Sequence, residues 1–282
     1  MKLFRRIIFG IANWFQPAIR PCPFSGAGGD ALQSLGPVAI NQTGDYSIGN
    51  FSLVYCASSD VVYLNPLPRA WDFEAMYSAE QFDSAEYVDP QRIDAMMEYY
   101  GDCINRHFSL EQAVQFRLLE VGAGMSWVSR ALKGIRPDAT TRAQDISPEC
   151  KDACEWVDEY FVGSVEKFCA QNRERFHAIS LTHVIEHLPD PVGTLKILAG
   201  TLEPEGLIFV TAPGRPKGWL PEQGLGPWLD YSYLHVPAHI TYFSETSLRM
   251  AAHKAGLRLT FWDGGHDDGQ AFEAVLSPAE SA

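Results

Sequence analysis

The stretch LLEVGAGMSW, from Leu118 to Trp127, decides the fold class. It predicts a short apolar strand that runs into a turn with two glycines, followed at once by a helix. Glycines let a ligand approach the backbone amides at the start of such a helix, where the helix dipole favours negative charge. This arrangement is typical of nucleotide-binding α/β folds, and a purely structural tight turn is the alternative.

Downstream of this turn, strand patterns and helix patterns alternate. The segments are FRLLEV, SWVSRALKGI, TTRAQDI, PECKDACEWV, HAISLTHV, PVGTLKILAGTL and GLIFVTAP. Strict alternation of this kind requires right-handed crossovers and therefore a parallel sheet. A further helix follows, with Ser244 as its N-cap and Gly256 as its C′ glycine. The segments LRLTFWD and QAFEAVLS flank a polar turn and predict a closing hairpin.

The sequence before residue 116 predicts three smaller units. Residues 1–20 pattern as an amphipathic helix with a basic start, and we reject a signal peptide because Asn13 interrupts the apolar run and no small-residue cleavage site follows. This helix either packs on the domain or makes a weak peripheral contact with an anionic membrane surface. Residues 21–70 indicate a small irregular β module, and residues 71–115 a helical linker or cap. The main domain is expected to span residues 116–282.

Composition narrows the range of partners. The formal net charge of −13 argues against nucleic acid, because polyanion binding depends on clustered Lys and Arg. A small molecule is the expected partner, and the sequence does not fix the oligomeric state. The six cysteines have no disulfide-framework spacing and form no Cys-x-x-Cys pair, which favours a reducing cytoplasm.

The glycine turn resembles motif I of class I S-adenosylmethionine-dependent methyltransferases, acidic-x-Gly-x-Gly-x-Gly. Glu120 supplies the acidic residue, and Ser126 stands at the last glycine. The resemblance implies S-adenosylmethionine as cofactor and a Rossmann-like, mostly parallel seven-stranded sheet with helices on both faces. A dehydrogenase is the rival interpretation. It is disfavoured because Trp127 occupies the third glycine position of the NAD fingerprint, where a large indole obstructs helix packing.

Two further segments resemble cofactor-binding parts of that family. AQDISPE resembles GVDISPE, in which the carboxylate corresponding to Asp145 accepts hydrogen bonds from both ribose hydroxyls; a helix-capping role is the alternative. GSVEKF stands where the family has a GDAEDL-like segment, so Ser164 and Val165 are expected near the adenine. The predicted cofactor-binding residues are Glu120, Gly122, Ala123, Gly124, Asp145, Ile146, Ser164, Val165 and His183.

The segment THVIEHLPDP, residues 182–191, resembles the HVLEHVPDP element that faces the transferable methyl group in many of these enzymes. His183 is the first candidate for the general base, followed by His187 and His239; His235 also lies in the later segment LHVPAHITYFS, which resembles the family's HLYYFSP-like stretch. A structural role for these histidines and for Glu186 is the alternative. H-x-x-E-H is also a zinc-protease motif, but two prolines stop the helix which that motif needs, so no metal is expected.

Two regions outside the main motifs also give expectations. CPFS and YCASS resemble a zinc ribbon found ahead of some methyltransferase domains, including sugar C-methyltransferases. Ser25 and Ser59 stand where the second cysteines would be, so a ribbon-like module without metal is expected. The loop between Pro213 and Leu234 is either an acceptor-binding lid, with Trp219, Trp228 and Tyr231 as stacking faces, or an aromatic loop packed on the N-terminal module.

Together these features predict a cytoplasmic methyltransferase that acts on a small-molecule acceptor. A sugar or nucleotide-sugar intermediate of surface glycan biosynthesis is the favoured acceptor, and the sequence does not fix whether carbon, oxygen or nitrogen is methylated. The alternative from another class is a non-catalytic protein that keeps the fold as a binding or scaffolding module. Its support is the set of serines at positions 25, 59, 126 and 164.

Overall fold

The structure is a computed structural model. It describes residues 19–42, 46, 49–69, 72–73, 76 and 89–279. Nearly all of the predicted amphipathic helix of residues 1–20, and the membrane contact expected of it, lie outside the described residues. No helix within the described part of the chain is both long and apolar enough to cross a membrane.

The described residues form two sheets and the helices around them. The strands are β1 (Leu32–Val38), β2 (Phe51–Cys56), β3 (Val61–Asn65), β4 (Arg117–Val121), β5 (Thr140–Asp145), β6 (Glu159–Val162), β7 (Phe176–Thr182), β8 (Leu202–Pro213), β9 (Thr241–Tyr242), β10 (Leu257–Gly265) and β11 (Ala271–Pro278). The helices are α1 (Pro90–His107), α2 (Trp127–Ile135), α3 (Val165–Gln171), α4 (Pro191–Ala199), α5 (Gly226–Leu229), α6 (Glu245–Lys254) and α7 (His266–Gly269).

The large sheet has seven strands in the order β10-β11-β8-β7-β4-β5-β6. The run from β8 to β6 is parallel, whereas β11 is antiparallel to both of its neighbours. The chain moves outward from β4 in one direction and from β7 in the other, so the sheet has a topological switch point between these two strands. Ligands of open α/β sheets bind at such a point, outside the carboxyl ends of the strands. The predicted fold class is confirmed.

Helices cover both faces of this sheet. Side chains alternate along β4, so Leu118 and Leu119 enter two different hydrophobic clusters. The cluster around Leu118 includes Ile104 of α1 and Leu132 of α2, and the cluster around Leu119 includes Leu195 of α4. The helix expected within residues 71–115 is therefore α1, and it packs against the sheet.

One predicted helix is wrong. PECKDACEWV forms only a short 3-10 turn, Lys151–Ala153, before β6. The indole Nε1 of Trp156 donates to Ser126 O at 2.9 Å, and the Asp158 carboxylate accepts from Thr141 N at 2.7 Å. These tertiary hydrogen bonds hold the segment in an irregular path of turns that local helix propensity does not reveal. The predicted end of α6 is confirmed, because Gly256 follows it with φ +78°.

The small sheet joins the N-terminal module to the main domain. Its order is β1-β2-β3-β9, and β9 comes from residues 241–242 of the predicted main domain. Trp219, Trp228 and Tyr231 are buried against this sheet, each at 7% exposure or less. This burial supports the alternative to the predicted acceptor-binding lid, an aromatic loop packed on the N-terminal module. The predicted domain boundaries stay predictions.

Replacing Trp228 with Ala tests this structural role of the aromatic loop. The indole is fully buried between the two parts of the chain. Its loss should therefore lower the free energy of unfolding by about 3–5 kcal/mol, measured by urea denaturation. The adjacent variant Leu229→Ala is the control, because that side chain is 63% exposed and should change the same quantity by less than about 0.5 kcal/mol. Equal stability of the two variants would contradict the packing role.

Candidate active site

The turn after β4 has left-handed backbone at three positions. Gly122, Gly124 and Ser126 have φ values of +59°, +47° and +52°. A Cβ on Gly122 would lie 2.5 Å from Val184 Cγ2, so only glycine allows the turn to pack against the segment that follows β7. Ser126 adopts a left-handed conformation that glycine favours. This conformation explains why motif I has glycine at the position that Ser126 occupies here. The turn also bonds to β5, because Ala123 N donates to Gln144 O at 3.0 Å.

Asp145 ends β5 beside this turn. Its Oδ2 accepts from Gly124 N and its Oδ1 from Ser147 N, both at 2.8 Å. Burial raises the pKa of this carboxyl, and the two amide hydrogen bonds oppose that shift. Each carboxylate oxygen has more than one acceptor site, so the group still has capacity for ligand hydroxyls. The neighbouring Ile146 is 54% exposed and presents an apolar surface next to the carboxylate.

Glu120 lies beneath the turn and is almost fully buried. Its Oε1 accepts from Val128 N at 3.2 Å, and its Oε2 accepts from Ser129 N and Ser129 Oγ at 2.9 and 2.7 Å. The carboxyl thus holds the first turn of α2, where a negative charge also suits the helix dipole. Burial raises its pKa to about 7, against these hydrogen bonds. Its contact with the cofactor stays a prediction.

The two residues expected near the adenine begin α3. Ser164 is the N-cap, and its side chain accepts from Lys167 N at 3.4 Å. Val165 is 7% exposed, and its side chain belongs to the hydrophobic core. Ser164 therefore has a local structural role, and any contact of these two residues with adenine stays a prediction.

The segment that follows β7 turns sharply. His183 has φ +53°, an unusual backbone conformation for a residue other than glycine, and its amide donates to Thr211 O at 2.8 Å. A 3-10 turn, Ile185–His187, comes next. The carboxyl group of Glu186 is completely buried, while His183 Nδ1 and His187 Nε2 each lie 3.7 Å from its Oε1. The side chain of His183 is 45% exposed, so this imidazole faces the open side of the cluster.

The later segment around His239 closes on the same turn. Ile240 N donates to Glu186 O at 2.8 Å, and the rings of His187 and His239 lie 4.7 Å apart. His187 Nδ1 donates to Ala238 O at 3.0 Å, and His239 Nδ1 donates to Tyr233 O at 2.8 Å. The His235 ring lies 4.6 Å from that of His239. The structure therefore brings all four predicted histidines into one cluster around Glu186.

Burial and charge set the protonation of this cluster. Burial of Glu186 would raise its pKa, but the surrounding imidazoles, led by His187, lower the pKa to about 2. Burial and the neighbouring His187 together lower the pKa of His239 to about 3. Burial also lowers the pKa of His235. At neutral pH the centre is thus a buried carboxylate with a neutral His239 beside it.

Sequence reasoning missed the importance of two residues in this cluster. Apart from the disfavoured zinc-protease motif, the sequence predicts only a structural role for Glu186, although it is the group around which the histidines gather. The sequence motifs do not include Tyr233, yet its carbonyl orients His239 and its ring lies 6.4 Å from the ring of His183, nearly parallel to it. Its position two residues before His235, in a segment rich in aromatic residues, is the sequence feature that could have indicated this role.

A cavity of about 450 Å³ lies elsewhere in the described part of the chain. It is lined in part by Asp60, Arg215, Trp219, Ser244 and Trp262, and none of the predicted catalytic or cofactor residues lines it. Arg215 spans part of this region with hydrogen bonds of 2.6 and 3.1 Å to the Asp60 carboxylate. The chemistry of the histidine cluster is therefore separate from this cavity.

Comparison with known proteins identifies the family. A family model described as a methyltransferase domain matches residues 76–260, which is more than half of the chain. The chain therefore belongs to this methyltransferase domain family. The predicted enzyme class, S-adenosylmethionine-dependent methyltransferase, and the predicted cofactor agree with this membership.

Solved structures agree with the fold. The structure of the mitomycin 7-O-methyltransferase MmcR matches 68% of this chain and 59% of its own, with a TM-score of 0.51 and 14% identity. An S-adenosylmethionine-dependent methyltransferase from Clostridium acetobutylicum matches 70% of this chain and 97% of its own, with a TM-score of 0.50 and 10% identity. At these identities the similarity shows a shared fold.

Curated relatives match a shorter stretch. The ubiquinone biosynthesis O-methyltransferase of Xanthomonas campestris pv. campestris is 30% identical over 106 residues, which is 35% of this chain and 44% of that protein. The protein of the same name from Xylella fastidiosa is 31% identical over 121 residues, or 40% of this chain and 47% of that protein. The chain thus spans less than half the length of the curated relatives it matches.

Replacing Glu120 with Gln tests the buried carboxyl beneath the turn. Because its folded-state pKa of about 7 is above the ordinary value of 4.5, the stability it contributes is present below pH 4.5 and is lost as pH rises through 7. The neutral amide has no such loss. The unfolding free energy of the variant minus that of the wild type should therefore increase by about 2–3 kcal/mol from pH 5 to pH 8.

Urea denaturation at both pH values measures this difference. The matched control is Glu245→Gln, because the Glu245 side chain is 50% exposed and its exchange should leave the difference nearly independent of pH. A Glu120→Gln difference that is the same at pH 5 and pH 8 would contradict a raised pKa at Glu120.

Proposed function

We propose that this protein transfers a methyl group from S-adenosylmethionine to a hydroxyl oxygen of a small-molecule acceptor. The observation that carries the proposal is the histidine cluster around Glu186 at the carboxyl end of β7, packed directly against the glycine turn through Val184 and Gly122. This contact brings the proposed cofactor loop and a set of proton-accepting imidazoles to one side of the sheet.

The residues at the turn fit the cofactor. The Asp145 carboxylate is fixed by two amides and has acceptor capacity left for the two ribose hydroxyls. The exposed Ile146 side chain offers an apolar surface for the adenine ring. Gly124 has no side chain, which favours close approach of the methionine part to this turn. S-adenosylmethionine supplies an electrophilic methyl group on a sulfonium ion.

The chain's own contribution is alignment and proton transfer. Holding the acceptor oxygen in line with the methyl group converts a bimolecular step into an effectively unimolecular one. His183 is the proposed general base, because it is the only exposed residue of the cluster and it lies beside an ionised carboxylate. The negative charge of Glu186 stabilises the imidazolium that forms when His183 takes the acceptor proton.

The acceptor class rests on two kinds of support. The matched relatives from Xanthomonas and Xylella are named O-methyltransferases, which favours oxygen as the methylated atom. The resemblance of residues 21–70 to a degenerate zinc ribbon favours a sugar or nucleotide sugar. In that module Cys22 Sγ lies 3.0 Å from Ser59 Oγ, and Cys56 Sγ lies 3.5 Å from Ser25 Oγ, so the four ribbon positions are close together. A panel of phenolic and sugar hydroxyl acceptors separates these classes.

A non-catalytic binding module is the rival proposal. It would bind S-adenosylmethionine without converting it in the presence of any acceptor. Turnover of S-adenosylmethionine with any acceptor of the panel decides between the enzyme and this rival. Two substitutions, one in each half of the site, test the residues proposed for binding and catalysis.

Replacing Asp145 with Ala should weaken binding of S-adenosylmethionine and S-adenosylhomocysteine about 5- to 150-fold, because about two hydrogen bonds of 0.5–1.5 kcal/mol each are lost. Calorimetric titration measures the two dissociation constants. Asp152→Ala is the control, since Asp152 is exposed on the neighbouring 3-10 turn and should leave both constants unchanged. Unchanged affinity in Asp145→Ala would remove this carboxylate from the cofactor site.

Replacing His183 with Ala should lower the turnover number about 100-fold or more, while cofactor affinity stays nearly intact, because a general base contributes about 10²–10⁴-fold to the rate. S-adenosylhomocysteine release with the best acceptor of the panel is the readout. His253→Ala, on the exposed side of α6, is the control. A fully active His183→Ala enzyme would transfer the role to another histidine.

A further inference from the structure

The cluster around Glu186 contains a buried carboxylate whose capacity to accept hydrogen bonds or bind a cation is not used when His183 takes a proton. Among the described residues, neither carboxylate oxygen of Glu186 has a hydrogen-bond partner, although the side chain is completely buried. Burying a charge without hydrogen bonds is strongly unfavourable. His183 Nδ1 and His187 Nε2 lie 3.7 Å from its Oε1, beyond hydrogen-bond distance. The carboxylate therefore has acceptor capacity that the described residues do not use.

Two of the surrounding imidazoles, those of His187 and His239, are oriented as metal ligands usually are. Backbone carbonyls can only accept, so the contacts to Ala238 O and Tyr233 O place the ring proton on Nδ1 of His187 and His239. In the neutral rings, Nε2 then carries the lone pair. Metal-bound histidines in general donate their second ring N–H to a carbonyl or carboxylate in this way, which fixes the tautomer and the direction of the ring.

The spacing is close to that of one coordination sphere. Ligand atoms of Glu186, His187 and His239 all lie within 4.8 Å of one another. Two ligands of a tetrahedral zinc ion with bonds of about 2.0–2.1 Å lie about 3.3 Å apart, so side-chain movements of about an ångström complete the site. Two histidines and one glutamate, with one position left open, are a ligand set of catalytic zinc ions.

We propose that Glu186, His187 and His239 bind a divalent cation of the zinc class and that the open coordination position takes the acceptor hydroxyl. The catalytic part of this inference rests on the proposed function, whereas the binding part does not. A metal site at these three residues differs from the sequence-based expectation that the protein binds no metal. The linear motif H-x-x-E-H would use His183 and His187 as its two histidine ligands. In the proposed site the second histidine is instead His239, which lies about fifty residues after His187 in the sequence.

The step balances without any redox reagent. The cation polarises the acceptor hydroxyl and lowers its pKa. The acceptor O–H bond breaks and the proton passes to His183, which lies outside the three-residue ligand set. The oxygen forms a bond to the methyl carbon as the carbon–sulfur bond breaks, and that electron pair stays on sulfur in S-adenosylhomocysteine. The acceptor class this favours is a molecule with a hydroxyl that can reach a cation, such as a catechol or a vicinal diol.

Cobalt(II) titration of the metal-free full chain tests the site without cofactor or acceptor. We expect one equivalent to bind, with visible d–d absorption and no sulfur-to-cobalt charge-transfer band, and zinc to displace it. Glu186→Gln, His187→Gln and His239→Gln should each weaken binding about 100-fold or more. Two controls should bind like the wild type: the exposed His253→Gln, and the double variant Cys22→Ser/Cys56→Ser, which removes the thiols of the N-terminal module. Circular dichroism of each variant reports folding, and His187→Gln serves if the buried variants do not fold.

The outcomes separate this inference from the proposed function. Absence of one-equivalent binding, binding that survives in Glu186→Gln and His239→Gln, or a thiolate charge-transfer band would overturn the metal site. Binding at the site with no methyl transfer to any acceptor would preserve it and remove the proposed function. Methyl transfer at the full rate by the metal-free chain would preserve the proposed function and overturn the catalytic role of the cation. The supporting result is that metal removal abolishes methyl transfer and that added zinc restores it in the wild type but not in Glu186→Gln.

Discussion

The contact between Gly122 and Val184 constrains the rest of the site. A side chain at position 122 would meet Val184 at 2.5 Å, so the turn after β4 and the segment after β7 can be neighbours only because residue 122 is glycine. The contact lies at the switch point of the sheet, where chain segments diverge and leave a crevice. Everything proposed for the chemistry depends on these two segments being held at this distance.

Two buried carboxyls stabilise opposite sides of the turn. Glu120 bonds to the first amides of α2 below it, and Asp145 bonds to Gly124 N beside it. Both satisfy backbone donors that would otherwise be unpaired at a helix start or a tight turn. A ligand that approaches this turn therefore meets backbone that is already ordered, which reduces the entropy lost on binding.

The polar cluster around Glu186, on the segment after β7, is poorly satisfied by hydrogen bonds, unlike the two carboxyls beside the turn. Glu186 is buried without hydrogen bonds from described residues, and it is surrounded by imidazoles whose positions are fixed by main-chain carbonyls. Such an arrangement costs stability, and strained or poorly satisfied groups of this kind concentrate at functional sites. The left-handed backbone of His183 in the same segment adds to that cost. The N-terminal module and the aromatic loop packed on it supply buried surface nearby, through Trp228 and Tyr242.

The sequence by itself determined the fold class, the glycine turn, the two carboxyls beside it and the histidine segment, because these depend on local patterns: strand and helix alternation, glycine spacing, and residues close to one another along the chain. It did not determine that residues 150–157 are a loop, since Trp156 and Asp158 are fixed by partners on other elements. Nor did it show that the aromatic loop is buried or that His239 completes a cluster with Glu186. Only the tertiary structure decided these points, because each depends on contacts between segments far apart in the sequence, which no local pattern encodes.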